Sequence, residues 1–539
     1  MSPVASHAEV FFVGGGRSAS ARMSPAIVGS KADNLARLDR LGLRVPPAVV
    51  LGTAFCEEYF KQHGKLDPDF PRQLRGHIAQ LEEVTGLRLG GRHPLLVSVR
   101  SSPPVSMPGM LDTILNVGLT ETTVRALIRR TGNARLAWDA YRRFVRGYAE
   151  TVLGTPPGAF DRLTTRYFTD ANVLDVRDLD PLALRSLARD SVDVLRGLTG
   201  TTLPADPLMQ LVQAVEAVWR SWMSPRAREY RRLNGVDATG GTGVLIQMMV
   251  FGNAGGSSGS GVGFTRDPTN GDNRPYIDFL FNAQGEDVVS GRQASTDSAR
   301  LPHILPAVHA ELERAKSRLE SELRDMQDFE FTVQDGCLYF LQTRAGKRTP
   351  WAALRIAIDL TMAGIIDRDT ALERLAAYDL DTIQRTRLQP DGAEAPIGTG
   401  VPAGLGVAVG AIALDSAKAR QMCQDGSVIL VRSDISPDDI AGLASAAGIV
   451  TARGGRTSHA AVVARQMGKA CVVGCGALQI DIERHCCSFG DHTFREGAIV
   501  TVDSDSGRIY AGHVPVLIEK PLEALATIRT WLCSRQARA

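Results

Sequence analysis

Apolar residues recur along the chain with two different spacings, which predict helical and β regions in alternation. Residues 120–235 carry stripes at helical spacing, such as RLAWDAYRRFVRGYAETVL, and predict a mostly helical region. Short apolar runs bounded by Gly and Pro predict strands at 94–102 and across 243–345. Within the second set, the alternation on either side of Asp335-Gly336 is typical of a hairpin.

The pattern changes again towards the C-terminus. Residues 350–386 favour two short helices, and 388–406 are rich in Pro, Gly and Ala, which indicates a boundary. Residues 396–515 alternate Gly-rich turns, short strands and short helices, and 516–539 predict one terminal helix. We therefore predict a multidomain protein of mixed α/β and α+β class.

Composition narrows the class of protein. The 539 residues are 44% hydrophobic and 22% charged, with a formal net charge of +2, which is typical of a globular protein and gives no case for a nucleic-acid binder. The N-terminus lacks the basic and apolar pattern of a secretory signal, and no apolar run is long enough to span a membrane. A cytoplasmic protein is expected.

The cysteines leave two interpretations open. Five of the 8 cysteines lie between Cys423 and Cys487, where His485 and His492 could complete a zinc site. Their spacing lacks the paired C-x2-C arrangement of structural zinc sites, so reduced thiols are the favoured interpretation.

The stretch GGRTSHAAVVARQMGK predicts a helix with a histidine at its start. Thr457 and Ser458 are good N-cap types, and Gly468 is a plausible stop, so His459 is expected in the first turn. The positive end of the helix dipole there disfavours imidazolium, and the free backbone N–H groups can bind an anion.

These properties suit a histidine that becomes phosphorylated. Gly454 and Gly455 leave little side chain in front of His459, so a partner can approach it. The alternative is a packed histidine at a helix start with no chemistry.

Three stretches are candidates for binding nucleotide phosphate. Lys31 opens a predicted helix, Arg100 ends a predicted strand, and the run GNAGGSSGSGVG at 252–263 allows close backbone approach. The alternative for each is a structural loop.

The predicted hairpin carries candidate metal ligands. Asp328 and Glu330 are two residues apart and share a face, and Gln342 lies on the partner strand. A carboxylate, an amide oxygen and phosphate oxygens suit Mg²⁺, a hard cation. The alternative is a polar hairpin edge.

Seven stretches together resemble the N-terminal two-thirds of the pyruvate, phosphate dikinase family, in the family's order. They are GSKADNLARL, PLLVSVRSSPPVSMPGMLDT, AWDAYRRFVRGYAETVLG, QMMVFGNAGGSSGSGVGFTRDP, FNAQGEDVVSGRQ, DFEFTVQDGCLYFLQTRAGKRT and GGRTSHAAVVARQMGKACVVGC.

The resemblance implies an ATP-grasp nucleotide-binding domain over 1–349, with the helical region 120–235 as an insertion. A helical connector over 350–395 would lead to a swivelling β/α phosphohistidine domain over 396–515. A C-terminal helical tail would occupy 516–539.

The resemblance also implies an activity. In the family, ATP gives its β,γ-pyrophosphoryl group to a histidine and releases AMP, and inorganic phosphate then removes one phosphoryl group as pyrophosphate. The remaining phosphohistidine moves to a barrel that binds pyruvate. His459 matches the carrier, Glu330 and Gln342 match ligands of the cofactor Mg²⁺, and Thr457 matches a regulatory phosphorylation site. The nucleotide-binding positions implied are Lys31, Arg100, Gly109, Glu286, Asp328, Glu330, Gln342 and Arg344.

This sequence departs from the family at several loop positions. Arg456 stands beside the carrier histidine where Met is usual, and Ser30 replaces a glycine before Lys31. Ser102-Pro103-Pro104 replaces a small Gly-Ala pair after Arg100.

The largest expected departure concerns the pyruvate-binding barrel, which needs roughly 200–250 residues. The residues after 515 are too few for it, so we expect this chain to load a phosphohistidine. The acceptor site would lie on a separate barrel chain or be lost, and the phosphoryl group would pass to pyruvate only if such a chain supplies that site. Two alternatives remain: transfer to another small molecule or protein, as in rifampicin phosphotransferases, and a nucleotide-sensing regulatory protein without turnover.

Overall fold

A computed structural model describes residues 9–536, except 17–18, 106, 108–109, 174, 234, 237–239, 290–293, 390–394, 436–438 and 457. Its internal contacts divide the chain into two units. Unit 1 comprises Met1–Ala254 with Tyr339–Thr343, and unit 2 comprises Gly255–Leu338 with Arg344–Ala539.

Unit 1 combines one sheet with a large helical region. Its elements are, in chain order, β1 (Val10–Val13), α1 (Pro25–Val28), α2 (Ser30–Arg40), β2 (Ala48–Leu51), α3 (Thr53–Lys61), α4 (Phe70–Thr85), β3 (Val97–Ser102), β4 (Thr113–Val117), α5 (Glu121–Thr131), α6 (Ala134–Thr151), α7 (Gly158–Ala171), α8 (Pro181–Thr199), α9 (Pro207–Ser221), α10 (Pro225–Leu233) and β5 (Gly243–Met248).

The sheet of unit 1 is antiparallel and has the order β1-β2-β5-β3-β4. The helices predicted over 120–235 are present, and α6 buries Tyr141, Phe144 and Tyr148 on one face, as their spacing of three and four residues requires. Trp219 of α9 lies in the same core, with its ring 5.4 Å from that of Phe70.

Unit 2 contains several sheets joined by short helices. Its elements are, in chain order, β6 (Gly259–Phe264), β7 (Tyr276–Phe281), α11 (Gly285–Val289), α12 (Ala294–Ile304), α13 (Pro306–Leu323), β8 (Gln327–Gln334), β9 (Cys337–Ala345), α14 (Pro350–Met362), α15 (Arg368–Leu375), β10 (Arg385–Leu388), β11 (Gly398–Thr399), β12 (Val401–Pro402), β13 (Val407–Ala413), α16 (Ser416–Met422), β14 (Val428–Arg432), α17 (Ile440–Ser445), β15 (Gly448–Thr451), α18 (His459–Gln466), β16 (Ala470–Val473), β17 (Leu478–Asp481), β18 (Cys486–Phe489), β19 (His492–Arg495), β20 (Ile499–Asp503), β21 (Arg508–Ala511), β22 (Val516–Glu519) and α19 (Leu522–Gln536).

The next sheet has the order β7-β6-β8-β9, and Tyr339–Thr343 of β9 count with unit 1 by their contacts. Its glycines make room for aromatic rings: a Cβ on Gly259 would lie 2.1 Å from the ring of Phe279, and one on Gly261 would lie 2.4 Å from that of Phe331. Packing therefore explains the glycines at the end of the predicted phosphate-binding run. The hairpin turn is at Asp335-Gly336, where both residues have positive φ, as a type I′ turn requires.

The largest sheet of unit 2 has eight strands in the order β11-β21-β20-β13-β14-β15-β16-β12. Strands β13 to β16 are parallel neighbours, and α16, α17 and α18 lie on the connections between them. Helix α18 therefore follows the carboxyl end of β15, the edge at which parallel sheets commonly bind ligands.

The mixed α/β and α+β organisation is confirmed, with two local corrections. Residues 243–345 contain helices α11, α12 and α13 among the predicted strands, because α13 packs on β8 through an apolar stripe that the strand-rich flanks concealed. The tail begins with a strand, since β22 pairs antiparallel with β10, and only α19 is helical.

The predicted domain boundaries at 349/350, 395/396 and 515/516 stay predictions. The division by contacts falls at Ala254/Gly255 and assigns Tyr339–Thr343 to unit 1. Among the described helices, none combines the length and the apolar character that a membrane crossing requires.

Candidate functional site

In unit 1, two predicted phosphate-binding residues lie on elements that contact each other. Lys31 is in the first turn of α2, and Arg100 is near the end of β3. Gly29 precedes the helix with φ of 80°, and a Cβ on it would lie 1.6 Å from the carbonyl oxygen of Ser102. This approach brings the N-terminus of α2 to the end of β3.

Three of the residues that differ from the family, Ser30, Ser102 and Pro103, form hydrogen bonds at this point. The hydroxyl of Ser30 donates to the carbonyl of Pro103 at 3.0 Å, and its backbone N–H donates to the same oxygen at 2.8 Å. The N–H of Ala32 donates to the hydroxyl of Ser102 at 3.0 Å. The serines thus join the helix N-terminus to the strand end, and the hydroxyl of Ser102 accepts from one of the helix's unpaired N–H groups.

Arg100 is oriented by Gln342. Its Nη2 donates to Oε1 of Gln342 at 3.2 Å, across more than 240 residues of sequence. The neighbouring part of β9 is held in unit 1 because the N–H of Phe340 donates to the carbonyl of Arg44 at 2.8 Å. An oriented guanidinium suits bidentate contact with phosphate.

In unit 2, the structure pairs two other predicted residues. Nε of Arg344 donates to Oδ2 of Asp328 at 2.7 Å. Burial raises the pKa of Asp328, the positive charge of Arg344 opposes that shift, and the negative charge of Glu330 adds to it. Asp328 is therefore a buried acceptor, and the half-buried Glu330, two residues along β8, is the more accessible carboxylate.

The residues proposed as metal ligands can each offer an oxygen atom. Glu330 supplies a carboxylate and Gln342 supplies an amide, which is the donor chemistry that Mg²⁺ prefers. For the predicted zinc alternative, no group of three or more His, Cys, Asp or Glu side chains suited to a metal occurs within the described residues, where all 8 cysteines are free.

The remaining predicted nucleotide-binding positions are Glu286 and Gly109. Glu286 lies exposed on α11, which packs on β6, β7 and β8. Gly109 is outside the described residues, as is Thr457.

The structure places His459 as the first residue of α18, as predicted; its side chain is outside the described part of the chain. Ser458 is the N-cap, and its hydroxyl accepts from the N–H of Ala461 at 3.4 Å. Gly454 has φ of 104°, and a Cβ there would lie 3.0 Å from the hydroxyl of Ser458, so glycine is needed for this loop to reach the cap. Gly455 is buried beside it.

Sequence reasoning missed a cluster beside this loop. Two arginines flank His459. Arg456 contacts Tyr276 and Asp278 of β7, and Arg465 contacts the ring of Phe264 on β6. A signal was present: Asp278 interrupts the apolar strand YIDFLF, and an aspartate at a buried position needs a partner.

In a comparison with known proteins, two separate segments of the chain match two different family models. Residues 65–308 match the family model described as pyruvate phosphate dikinase, AMP/ATP-binding domain. Residues 424–507 match the model described as PEP-utilising enzyme, mobile domain. Arg100, Glu286 and Asp278 fall in the first match, and His459 falls in the second.

Several relatives named pyruvate, phosphate dikinase are similar over nearly the whole chain. The protein of Rhizobium meliloti (strain 1021) is 40% identical over 522 residues, which are 94% of this chain and 58% of the relative. The Clostridium symbiosum protein is 42% identical over 90% of this chain and 56% of its own length. The Giardia intestinalis protein is 40% identical over 95% and 59%. The chain thus spans less than two thirds of each of these relatives.

Proposed function

Because the chain belongs to the pyruvate, phosphate dikinase family, we propose that it is an ATP- and Mg²⁺-dependent phosphotransferase that phosphorylates its own His459. The observation that carries the proposal is the position of His459 at the start of a capped helix, in the segment that matches a mobile domain. The same chain carries a segment that matches an AMP/ATP-binding domain.

In the first proposed step, a neutral ring nitrogen of His459 attacks the β-phosphorus of ATP. The bond from that phosphorus to the oxygen bridging the α-phosphorus breaks, and AMP leaves with the electron pair. In the second step, inorganic phosphate attacks the terminal phosphorus of the pyrophosphohistidine, so pyrophosphate leaves and one phosphoryl group stays on His459. The helix N-terminus supports both steps, because it disfavours imidazolium and attracts the transferred anion.

Several charged and polar residues are proposed to hold the nucleotide. Lys31 supplies a point charge and Arg100 an oriented guanidinium for the phosphate oxygens. Glu286, Asp328 and Arg344 are further proposed contacts, as is Gly109. Bound Mg²⁺ would neutralise part of the phosphate charge, with Glu330 and Gln342 as its protein ligands.

Pyruvate is the proposed final acceptor, because the relatives carry it in their name. The predicted separate barrel chain finds no support in these relatives, which are single chains, and it stays a prediction. Transfer to another small molecule and a purely regulatory role have no observation in their favour.

The test uses ATP labelled at either the β- or the γ-phosphate, with and without inorganic phosphate. Without phosphate, both labels should appear on the protein in an acid-labile, base-stable linkage, with AMP formed in equal amount. With phosphate, the β label should stay and the γ label should leave as pyrophosphate. His459→Ala should abolish the adduct, whereas His492→Ala, at an exposed histidine, should keep it.

Other outcomes contradict the proposal. A γ label that survives added phosphate would indicate single phosphoryl transfer from the γ position. Labelling of the His459→Ala variant would place the carrier elsewhere.

A further inference from the structure

The loop that leads into His459 contacts the strand pair β6 and β7 through two arginines. Nε of Arg456 lies 3.7 Å from Oδ1 of Asp278, and its guanidinium lies 4.3 Å from the ring centre of Tyr276. Asp278 is 3% exposed, and Arg456 is 22% exposed. A cation over an aromatic face and beside a buried carboxylate is a favourable arrangement.

A second arginine lies behind the first. Arg465 of α18 is completely buried, and its Nη1 donates to the backbone carbonyl of Arg456 at 2.7 Å. Its guanidinium lies 5.4 Å from the ring centre of Phe264. Arg465 thus fixes the backbone from which Arg456 projects, three residues before His459.

The contact joins segments that match different family models. Asp278 and Tyr276 lie in the segment matched to the AMP/ATP-binding domain, and the two arginines lie in the segment matched to the mobile domain. The hydroxyl of Tyr276 also donates to the carbonyl of Pro402 on β12, at 3.2 Å. Tyr276 is therefore held on two sides.

This contact is complementary in charge but incomplete in hydrogen bonds. Among the described residues, ten buried side-chain polar atoms lack a hydrogen-bond partner, and four of them are here: Oδ1 of Asp278, Nε of Arg456, and Nε and Nη2 of Arg465. Buried polar atoms are nearly always bonded, so such a concentration requires an explanation. One explanation is that this contact has to separate, because an incompletely bonded ion pair stabilises the docked state only modestly.

We propose that Arg456 is a positioning residue which, supported by Arg465, holds the loop before His459 against β7 during phosphorylation and then releases it. This inference rests on the proposed function, because it assumes that His459 is the carrier. It assigns a role to an arginine that stands where the family usually has Met. Asp278 is its partner, and Tyr276 limits the direction from which the loop can dock.

The test is the single-turnover rate of phosphoprotein formation from γ-labelled ATP without phosphate, followed by rapid quenching. Arg456→Met leaves Asp278 buried without its nearest cation and should lower the rate constant at least about 10-fold, since small misplacements of a reacting group have large effects. The ATP concentration for half-maximal rate should stay within about two-fold. Arg456→Lys should recover part of the rate. The matched control is Arg453→Met, an exposed arginine of the same loop, which should react like the wild type.

A double-mutant cycle separates docking from general damage. Asp278→Asn should lower the rate on its own, and the Arg456→Met/Asp278→Asn double variant should be no slower than the slower single variant. Equal rates for Arg456→Met and Arg453→Met would overturn the inference, as would fully multiplicative effects in the cycle. A loss of ATP affinity that matches the loss of rate would assign Arg456 to nucleotide binding instead. If the wild type forms no phosphoprotein, the proposed function fails; if it does and Arg456→Met matches it, this inference alone fails.

Discussion

Two buried arginines of unit 2 differ in how completely they are bonded. Arg266 is 2% exposed at its side chain and forms a double hydrogen bond to Glu320, both at 3.0 Å, with a third bond to Asp359 at 3.0 Å. Arg465 is also completely buried, yet within the described part of the chain it makes one side-chain hydrogen bond, to a backbone carbonyl. Burial alone therefore does not show what a charged residue does in this protein.

The difference follows from what each arginine joins. Arg266, two residues after β6, bonds to Glu320 of α13 and Asp359 of α14, so a fully bonded network stabilises one arrangement of these elements. Arg465 lies where the loop before His459 contacts β6 and β7, and burial lowers the pKa of its guanidinium because few partners replace the lost water. A fully bonded contact there would oppose the proposed release of the loop. The following predictions test this distinction.

The largest effect is expected at the bonded arginine. Arg266→Met leaves Glu320 buried without its two hydrogen bonds from the guanidinium, which should lower the local free energy of unfolding by about 3–5 kcal/mol. Hydrogen exchange of peptides from α13 measures it. The double variant Arg266→Met/Glu320→Leu should recover much of the loss; a loss below about 1 kcal/mol in the single variant would contradict the assignment.

The next effect concerns the oriented arginine of unit 1. Arg100→Ala removes a charge-assisted contact and should weaken Mg-ATP binding by about 1.5–3 kcal/mol. Calorimetric titration measures it, with Arg92→Ala, at an exposed arginine near the start of the same region, as the control. Unchanged affinity would remove Arg100 from the nucleotide site.

A third prediction extends the comparison to a bonded aspartate. Burial disfavours the charged form of Asp139, but Arg143 and Arg142 outweigh it and lower the pKa of Asp139 to about 2. Because the folded-state pKa lies below the ordinary value of 3.8, the ionised carboxylate stabilises the fold above about pH 4, by about 2 kcal/mol, and this is lost as the pH falls towards 2.

Hydrogen exchange of α6 peptides at pH 6, 4 and 3 measures this loss. The difference between wild type and Asp139→Asn should be largest at pH 6 and smaller at pH 3. A difference that does not depend on pH would show that Asp139 acts by shape and not by charge.

The smallest stability effect is expected at the incompletely bonded arginine. Arg465→Met should change the free energy of unfolding by less than about 1 kcal/mol, because it also removes the cost of burying a charge whose Nε and Nη2 lack hydrogen-bond partners among the described residues. Hydrogen exchange of the peptides on either side of β15 gives the value. A loss as large as that of Arg266→Met would show that Arg465 is a permanent structural support and would remove the distinction.

Local patterns in the sequence determined much of this molecule. The helical spacing over 120–235, the hairpin turn at Asp335-Gly336 and the capped helix that begins at His459 were all predicted and are present. Each depends on interactions between residues that are neighbours in sequence: an apolar stripe, two residues with positive φ, and a serine that caps its own helix.

Only the tertiary structure decided which distant residues meet. Arg100 donates a hydrogen bond to Gln342, and the hydroxyl of Ser102 on β3 accepts one from the N-terminus of α2. Asp278 lies beside the guanidinium of Arg456. The approach of a phosphate to the glycines of β6 stays a prediction, and the structure shows that Gly259 and Gly261 accommodate phenylalanine rings. No periodicity encodes these pairings, because each depends on how separate strands and helices pack, and the energy of a buried charge depends on that packing.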